Sequence, residues 1–297
     1  MDKEINHEQA IASLESSGNY KILRKYKKQK CYHQDDSLEK IRGIFLDVET
    51  TGLSHEIDKV IEIALVPFEF SKDGRIFKIL NGYSGFEDPE TALSQEIISL
   101  TGITNEMLNG KSFNNDEIQR LVDSSKLIIA HNASFDRKFL EKRFPFFNEK
   151  AWGCSASQVP WNDEGLASVK LEYLAYKFGF FFEGHRAEVD CCASLHLLSM
   201  TLPKSGDLAM KVLLDNARAK SYRIWALGSP FETKDSLKKR GYRWWPGGNG
   251  KDRSWYIDVE EENKDQELCY LKDEIFKADI ELPIDLITAF NRFSERI

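Results

Sequence analysis

The chain has 297 residues, 41% hydrophobic and 30% charged, with 48 acidic against 41 basic residues and a net charge of −7. At roughly 100–200 residues per domain, that length predicts about two domains. Ordinary Pro and Gly counts (8 and 18) with 12% aromatics exclude collagen-like, mucin-like and disordered chains, and the acidic balance excludes a polybasic nucleic-acid coat.

Residues 1–40 read as a charged extension, with a short helix around His7 to Ser16 broken by Ser17-Gly18-Asn19. Six bases between Lys21 and Lys30 are expected to form a solvated helix face, with a backbone-binding arm as the sharper alternative. Strands follow at Ile41 to Val48, Lys59 to Phe70 and Arg75 to Phe86, the last two joined by a turn at Ser71-Lys72-Asp73-Gly74. Helical signals begin at Leu93 and Asn105, and the apolar run Lys126 to Ala130 suits a strand buried on both faces. Further helices are expected over Ala133 to Phe144, stopped by Pro145, over Leu171 to Phe178, and over Arg186 to Met200. A meander followed by alternating helix and strand predicts an α/β fold, a mixed five-stranded sheet flanked by helices.

From about residue 220 the composition changes. Residues 221–255 hold seven aromatics and eight bases against three acids, a mixture suited either to single-stranded nucleic acid or to the core of a small module. Trp244 and Trp245 must point to opposite faces of a strand, so at most one is core. The expected organisation is an extension over 1–40, a main domain over 41–203, a linker over 204–218 and a smaller aromatic and basic α/β module over 219–297. No apolar run approaches the ~18 residues of a membrane span. The N-terminus lacks an apolar signal region, and five cysteines without a C-x-x-C pair fit a reducing compartment. The expectation is a cytoplasmic protein with no membrane partner.

The densest chemical signal is Leu46-Asp47-Val48-Glu49-Thr50-Thr51-Gly52-Leu53. With period two, Asp47 and Glu49 share one face of a strand end while Val48 enters the core behind them. Paired carboxylates repel unless a cation lies between them, and hard oxygen ligands suit Mg²⁺ or Mn²⁺. A buried strand then runs through His131-Asn132-Ala133-Ser134-Phe135 into Asp136, in the first turn of a helix where open α/β sheets place ligands. Gly184-His185-Arg186-Ala187-Glu188-Val189-Asp190 brings a fourth carboxylate five residues after a histidine. Imidazole titrates near neutral pH, which makes His185 a candidate general base. Glu188 is expected to face solvent, Arg186 to touch phosphate or stand exposed, and Cys191 and Cys192 to pack in or near the core.

Together these residues resemble the DEDDh 3′→5′ exonucleases over roughly Ile41 to Met200. Asp47 and Glu49 match the first motif, Asp136 the second, and His185 with Asp190 the third, including the H-x4-D spacing. Leu100-Thr101-Gly102-Ile103-Thr104 adds a likeness to the bacterial DNA polymerase III epsilon-subunit group. The resemblance implies an RNase H-like sheet and a phosphodiesterase in which Asp47, Glu49, Asp136 and Asp190 hold two divalent cations, Mg²⁺ or Mn²⁺. It implies His185 as the base that takes the proton from water, with nucleoside 5′-monophosphates as products. It also implies that Thr50, Thr51, Leu53, Asn132 and Phe135 contact the terminal nucleotide or line the cleft, with simple packing an equal alternative for Leu53 and Phe135. His131 is expected to be a hydrogen-bonded support.

The implied substrate is DNA, as a single strand or a frayed 3′ end, in repair or proofreading. The sequence leaves open RNA, cleaved in the manner of RNase T or oligoribonuclease, and a non-catalytic binding scaffold. Gln266 to Leu271 faintly resembles a sliding-clamp peptide but reads better as an amphipathic helix, so a clamp or polymerase partner has no support in the sequence.

Overall fold

A computed structural model describes residues 6–248 and 250–297. In the extension, α1 (His7–Ser16) precedes β1 (Arg24–Lys25). The main sheet is built from β2 (Ile41–Thr50), β3 (Val60–Phe70), β4 (Ile76–Ile79), β5 (Tyr83–Phe86), β6 (Leu127–Ala130) and β7 (Ala151–Cys154). Between β5 and β6 lie α2 (Gln95–Thr101), α3 (Asn105–Leu108) and α4 (Asn115–Asp123), and α5 (Ala133–Arg143) joins β6 to β7. After β7 come α6 (Leu171–Lys177), β8 (Phe180–Phe181), α7 (Ala187–Leu198) and α8 (Ala209–Arg218). A second sheet contains β9 (Ser221–Ala226), β10 (Arg243–Trp245), β11 (Ser254–Glu260) and β12 (Ile284–Ile287), with α9 (Lys234–Lys239) and α10 (Lys264–Tyr270).

The main sheet has the order β4-β3-β2-β6-β7, with β5 also paired to β3. The β2–β3 and β3–β4 ladders are antiparallel, whereas β2–β6 and β6–β7 run parallel. It is a mixed sheet of the RNase H-like kind, as expected, but with six strands rather than five. The expected strand over Arg75 to Phe86 is split, because β4 and β5 pair with opposite ends of β3. The break lies beside Pro67, which offers no N–H and instead accepts from Leu80 N–H at 2.8 Å. Gly82 completes it: a Cβ there would stand 2.0 Å from the Leu65 carbonyl oxygen.

Alternation along β2 sorts the two faces. Ile44, Leu46 and Val48 pack with Ile118, Phe139, Leu140 and Trp152 under α4 and α5. Phe45 turns the other way, into a core with Cys191, Leu195 and Leu213 of α7 and α8. Asp47 and Glu49 continue on the Phe45 face, beyond the end of that core. Both Cys191 and Cys192 are buried there, as expected.

Three expectations need correction. The basic run 21–30 is an extended segment and not a helix face: β1 pairs in parallel with β8, and Lys25 and Lys28 bond to Glu183 and Glu188 at 2.7 and 2.5 Å. Glu188 is exposed to solvent, as expected, with Lys28 beside it. The expected linker 204–218 contains α8, whose Met210, Leu213 and Leu214 are buried in the α7-side core. The tail of the 219–297 module also returns to the main sheet. Trp152 N–H donates to Ala289 O at 2.8 Å, and the fully buried Arg137 guanidinium donates to the carbonyls of Phe290 and Arg292 at 2.6 and 2.7 Å.

The second sheet runs β10-β11-β9-β12, all antiparallel. Ile224 and Ala226 of β9 pack against Leu237 of α9 and against Leu271 and Ile275 just beyond α10. The Gln266–Leu271 stretch accordingly lies in and just after α10, with Leu271 buried. Trp244 is 51% exposed and lies on Trp255, while Trp245 lies on the other face against Trp225.

Candidate active site

The acidic face of β2 meets the start of α7. Asp47, Glu49 and Asp190 each offer a carboxylate oxygen, and those oxygens lie within 4.8 Å of one another. Strand period two places the first pair. Asp190 joins them because the first turn of α7 crosses the open end of β2. Its Oδ2 accepts the Arg186 N–H at 3.0 Å, fixing the carboxylate at the helix N-terminus. Asp136 stands beside this trio. It is buried in the first turn of α5, close enough to the Val48 backbone between the two β2 acids for that backbone to hold its pKa down, and its charge raises the pKa of Asp47.

Burial and mutual repulsion hold these acids far from their ordinary range. Desolvation, then the charges of Asp136, Asp190, Glu49 and Glu62, push Asp47 well up. Desolvation together with Asp190 and Glu62 raises Glu49 to about 7, with Arg186 pulling the other way. Asp136 rises to about 7, mainly by burial. Asp190 reaches about 6, moderated by the Arg186 N–H and the nearby His185. An all-oxygen donor set that resists ionisation for want of positive charge fits a divalent cation. Asp47, Glu49 and Asp190 would hold it, with Asp136 adjacent.

His185 directly precedes the residue that caps α7, with φ 62 in the left-handed region, a conformation histidine adopts more readily than most residues. Its side chain is exposed and close enough to Asp190 to act on its charge. His131 is the hydrogen-bonded support expected of it. Burial lowers its pKa, so the neutral ring donates from Nε2 to Val169 O at 2.7 Å and accepts at Nδ1 from Ser155 at 2.9 Å.

The loop after Glu49 is held by its own hydroxyls. Thr50 Oγ1 donates to Gly52 O at 2.6 Å, and Thr51 Oγ1 donates to Asp58 at 3.1 Å. Asp58 also accepts Ser54 N–H at 2.9 Å, and a Cβ on Gly52 would stand 2.5 Å from its carboxylate, which is why a glycine sits there. The pinned loop presents Leu53 with 88% of its surface exposed. Phe135 instead packs on Phe139 with ring centroids 4.8 Å apart, and Asn132 is exposed at the start of α5, accepting from Ser134. Thr101 of the Leu100–Thr104 motif is buried, and its hydroxyl accepts Ile103 N–H at 3.1 Å, so that motif shapes a turn.

One site residue escaped sequence reasoning. Glu62 lies opposite Glu49 in the β2–β3 register and is 1% exposed. One oxygen accepts from Arg186 at 3.2 Å, while Oε2 is buried without a hydrogen-bond partner. Arg186 is therefore tied to a carboxylate. The available signal was a lone acid within the otherwise apolar run from Val60 to Phe68.

A family model described as Exonuclease matches residues 44–198, just over half of the chain. The chain belongs to this exonuclease family. The match covers all four motif carboxylates and His185, and the DEDD-type reading of the sequence fits it. The exonuclease region is similar to PolC-type DNA polymerase III of Clostridium perfringens, 31% identical over 167 residues, which cover 54% of this chain and 11% of that protein. The corresponding protein of Halalkalibacterium halodurans is 33% identical over 171 residues, 52% of this chain and 11% of the relative. The chain thus spans a small part of the length of these relatives. Among solved structures, exonuclease X in complex with 5′ overhanging duplex DNA is 26% identical, with a TM-score of 0.41, covering 56% of this chain and 99% of that one. Among the described residues no helix is long and apolar enough to cross a membrane.

Proposed function

We propose that this exonuclease-family hydrolase is a metal-dependent 3′→5′ exonuclease acting on DNA, as a single strand or at a frayed 3′ end, with nucleoside 5′-monophosphates as products. The observation that carries this reading is the carboxylate cluster of Asp47, Glu49 and Asp190 with Asp136 beside it and His185 at its rim. A non-catalytic scaffold has no use for repelling acids gathered in one cleft. Similarity to PolC-type DNA polymerases III supports DNA over RNA and a role in repair or proofreading.

Divalent cations, Mg²⁺ or Mn²⁺, would supply Lewis acidity toward the scissile phosphate and make water acidic enough to react at neutral pH. His185 takes the proton from the attacking water, its exposed imidazole being free to pass that proton to solvent. Leu53 presents an apolar side chain on the pinned loop against the terminal base. Asn132 and Phe135 line the approach to Asp136, and Thr50 and Thr51 offer backbone groups to the terminal nucleotide because their hydroxyls are used within the loop.

Digestion of matched 3′-labelled and 5′-labelled DNA and RNA single strands tests this reading. The expected result is immediate release of labelled mononucleotide from 3′-labelled DNA, a ladder from the 5′-labelled strand, and no cleavage in EDTA. Faster RNA cleavage would move the substrate to RNA, and a ladder from the 3′-labelled strand would reverse the polarity.

A further inference from the structure

The segments of α9 and α10 pack on one face of the second sheet. On its other face, residues alternate outward from the α9 and α10 core: Arg223 and Trp225 on β9, Arg243 and Trp245 on β10, Tyr256 and Asp258 on β11. The aromatic rings touch one another, with Trp225 buried and Trp245 and Tyr256 half-buried at the crevice wall. Trp225 lies 5.2 Å from Tyr256 and 6.3 Å from Trp245 between centroids. The Arg223 and Arg243 guanidinium groups lie 4.3 and 4.9 Å from the Tyr256 ring centre, and Lys251 lies 4.7 Å from that of Trp225.

This face looks across a crevice of about 480 Å³ to Lys138 of α5 and to Arg292. Both arginines share one carboxylate, Asp258, at 2.7 Å, so the pair keeps a net positive charge. With Lys138 and Arg292 counted, the latter held by the carbonyls of Asn216, Ala217 and Ala219, four cations meet Asp258 and Glu295 along this crevice, on a chain whose overall charge is −7. Trp245 also holds its Nε1–H buried without a partner. Two serines, Ser134 and Ser157, line both this crevice and a neighbouring one of about 520 Å³ that starts at Asn132. The two crevices therefore share a wall, and the second reaches the start of the helix that carries Asp136.

We propose that this open sheet face binds the single strand upstream of the 3′ end that the cleft cleaves. Rings in a row accept bases of any sequence by stacking, and guanidinium groups between them track the phosphates. A shared Asp258 keeps both arginines oriented while leaving charge for the strand. The inference rests on the exonuclease reading above and extends it to a second contact surface.

The test uses the full chain carrying Arg243→Glu and Trp245→Ala together, with Arg243→Glu alone as the milder variant should the pair fail to fold. One readout is anisotropy of a labelled single strand of about 20 nucleotides, longer than the ~4–16 that one such groove covers, measured in EDTA. The other is the ratio of kcat/KM on that strand to kcat/KM on a trinucleotide. The expected result is binding weakened about tenfold or more, from the loss of one stacked base and one phosphate contact, with a comparable fall in the ratio. Unchanged binding and an unchanged ratio in folded variants would overturn the groove while leaving the exonuclease reading intact. A wild-type protein that binds the strand but cleaves neither substrate would overturn the exonuclease reading, and the anisotropy comparison would still judge the groove.

Discussion

Asp47→Asn is expected to end turnover while making the metal-free protein more stable at neutral pH. The carboxylate lies at the centre of the cluster, and a cation bound there stabilises the charge that develops on phosphate by several kcal/mol. Losing that stabilisation slows turnover by about a thousandfold or more. Stability moves the opposite way because burial, and after it repulsion among the acids, penalises the charged carboxylates: Asp47 is pushed well up, Glu49 and Asp136 to about 7 and Asp190 to about 6.

An acid whose folded pKa exceeds its ordinary value binds its proton more tightly in the folded state. Its contribution is full below the ordinary carboxylate range and is lost as pH rises through the folded value. Metal-free wild-type protein should therefore melt at progressively lower temperature from about pH 4 to about pH 7, following those shifted values. Asp47→Asn removes one member of the set, so its advantage should be largest above pH 7 and shrink toward pH 4. Melting curves in EDTA across that range, beside steady-state rates in Mg²⁺, check both halves. A variant that melts lower at every pH would show that Asp47 is a structural residue of the strand end.

His185→Asn is expected to cut turnover by about two to four decades, the usual contribution of a general base, while divalent-cation affinity persists. Asparagine is chosen because it tolerates the left-handed backbone that His185 adopts, so the loop before α7 keeps its course. Calorimetric titration with Mn²⁺ separates the outcomes. Lost turnover with retained binding fits a residue that moves a proton, whereas collapse of binding would make His185 a ligand or a brace for Asp190. Turnover within tenfold of wild type would remove the residue from the chemistry.

Much of this site was legible because its motifs sit where periodicity is strong. A period of two along β2 fixed the common face of Asp47 and Glu49, and helix starts placed Asp136 and Asp190 at the sheet's open end. Glu62 was hidden because its role depends on cross-strand register, which pairs it with Glu49 across β2 and β3 and which a strand's own pattern does not contain. The basic run from Lys21 was misread for a related reason. Its partners Glu183 and Glu188 lie about 160 residues away, and local charge spacing suggested a helix where tertiary ion pairs and the β1–β8 ladder hold an extended chain. The α8 segment looked like a connection because Ser205-Gly206-Asp207 opens it, yet Met210, Leu213 and Leu214 supply a helical apolar face. In the second module the aromatics were visible at once. Which of them face the helices and which the open crevice follows only from the β9–β10–β11 register.

Anomalous diffraction from crystals grown with Mn²⁺ decides whether the four carboxylates form a divalent-cation site at the heart of a phosphodiesterase. Two Mn²⁺ peaks in contact with Asp47, Glu49, Asp136 and Asp190, absent from Asp47→Asn crystals, are the expected result. Peaks confined to other parts of the chain, in a protein that Mn²⁺ activates for cleavage, would contradict it.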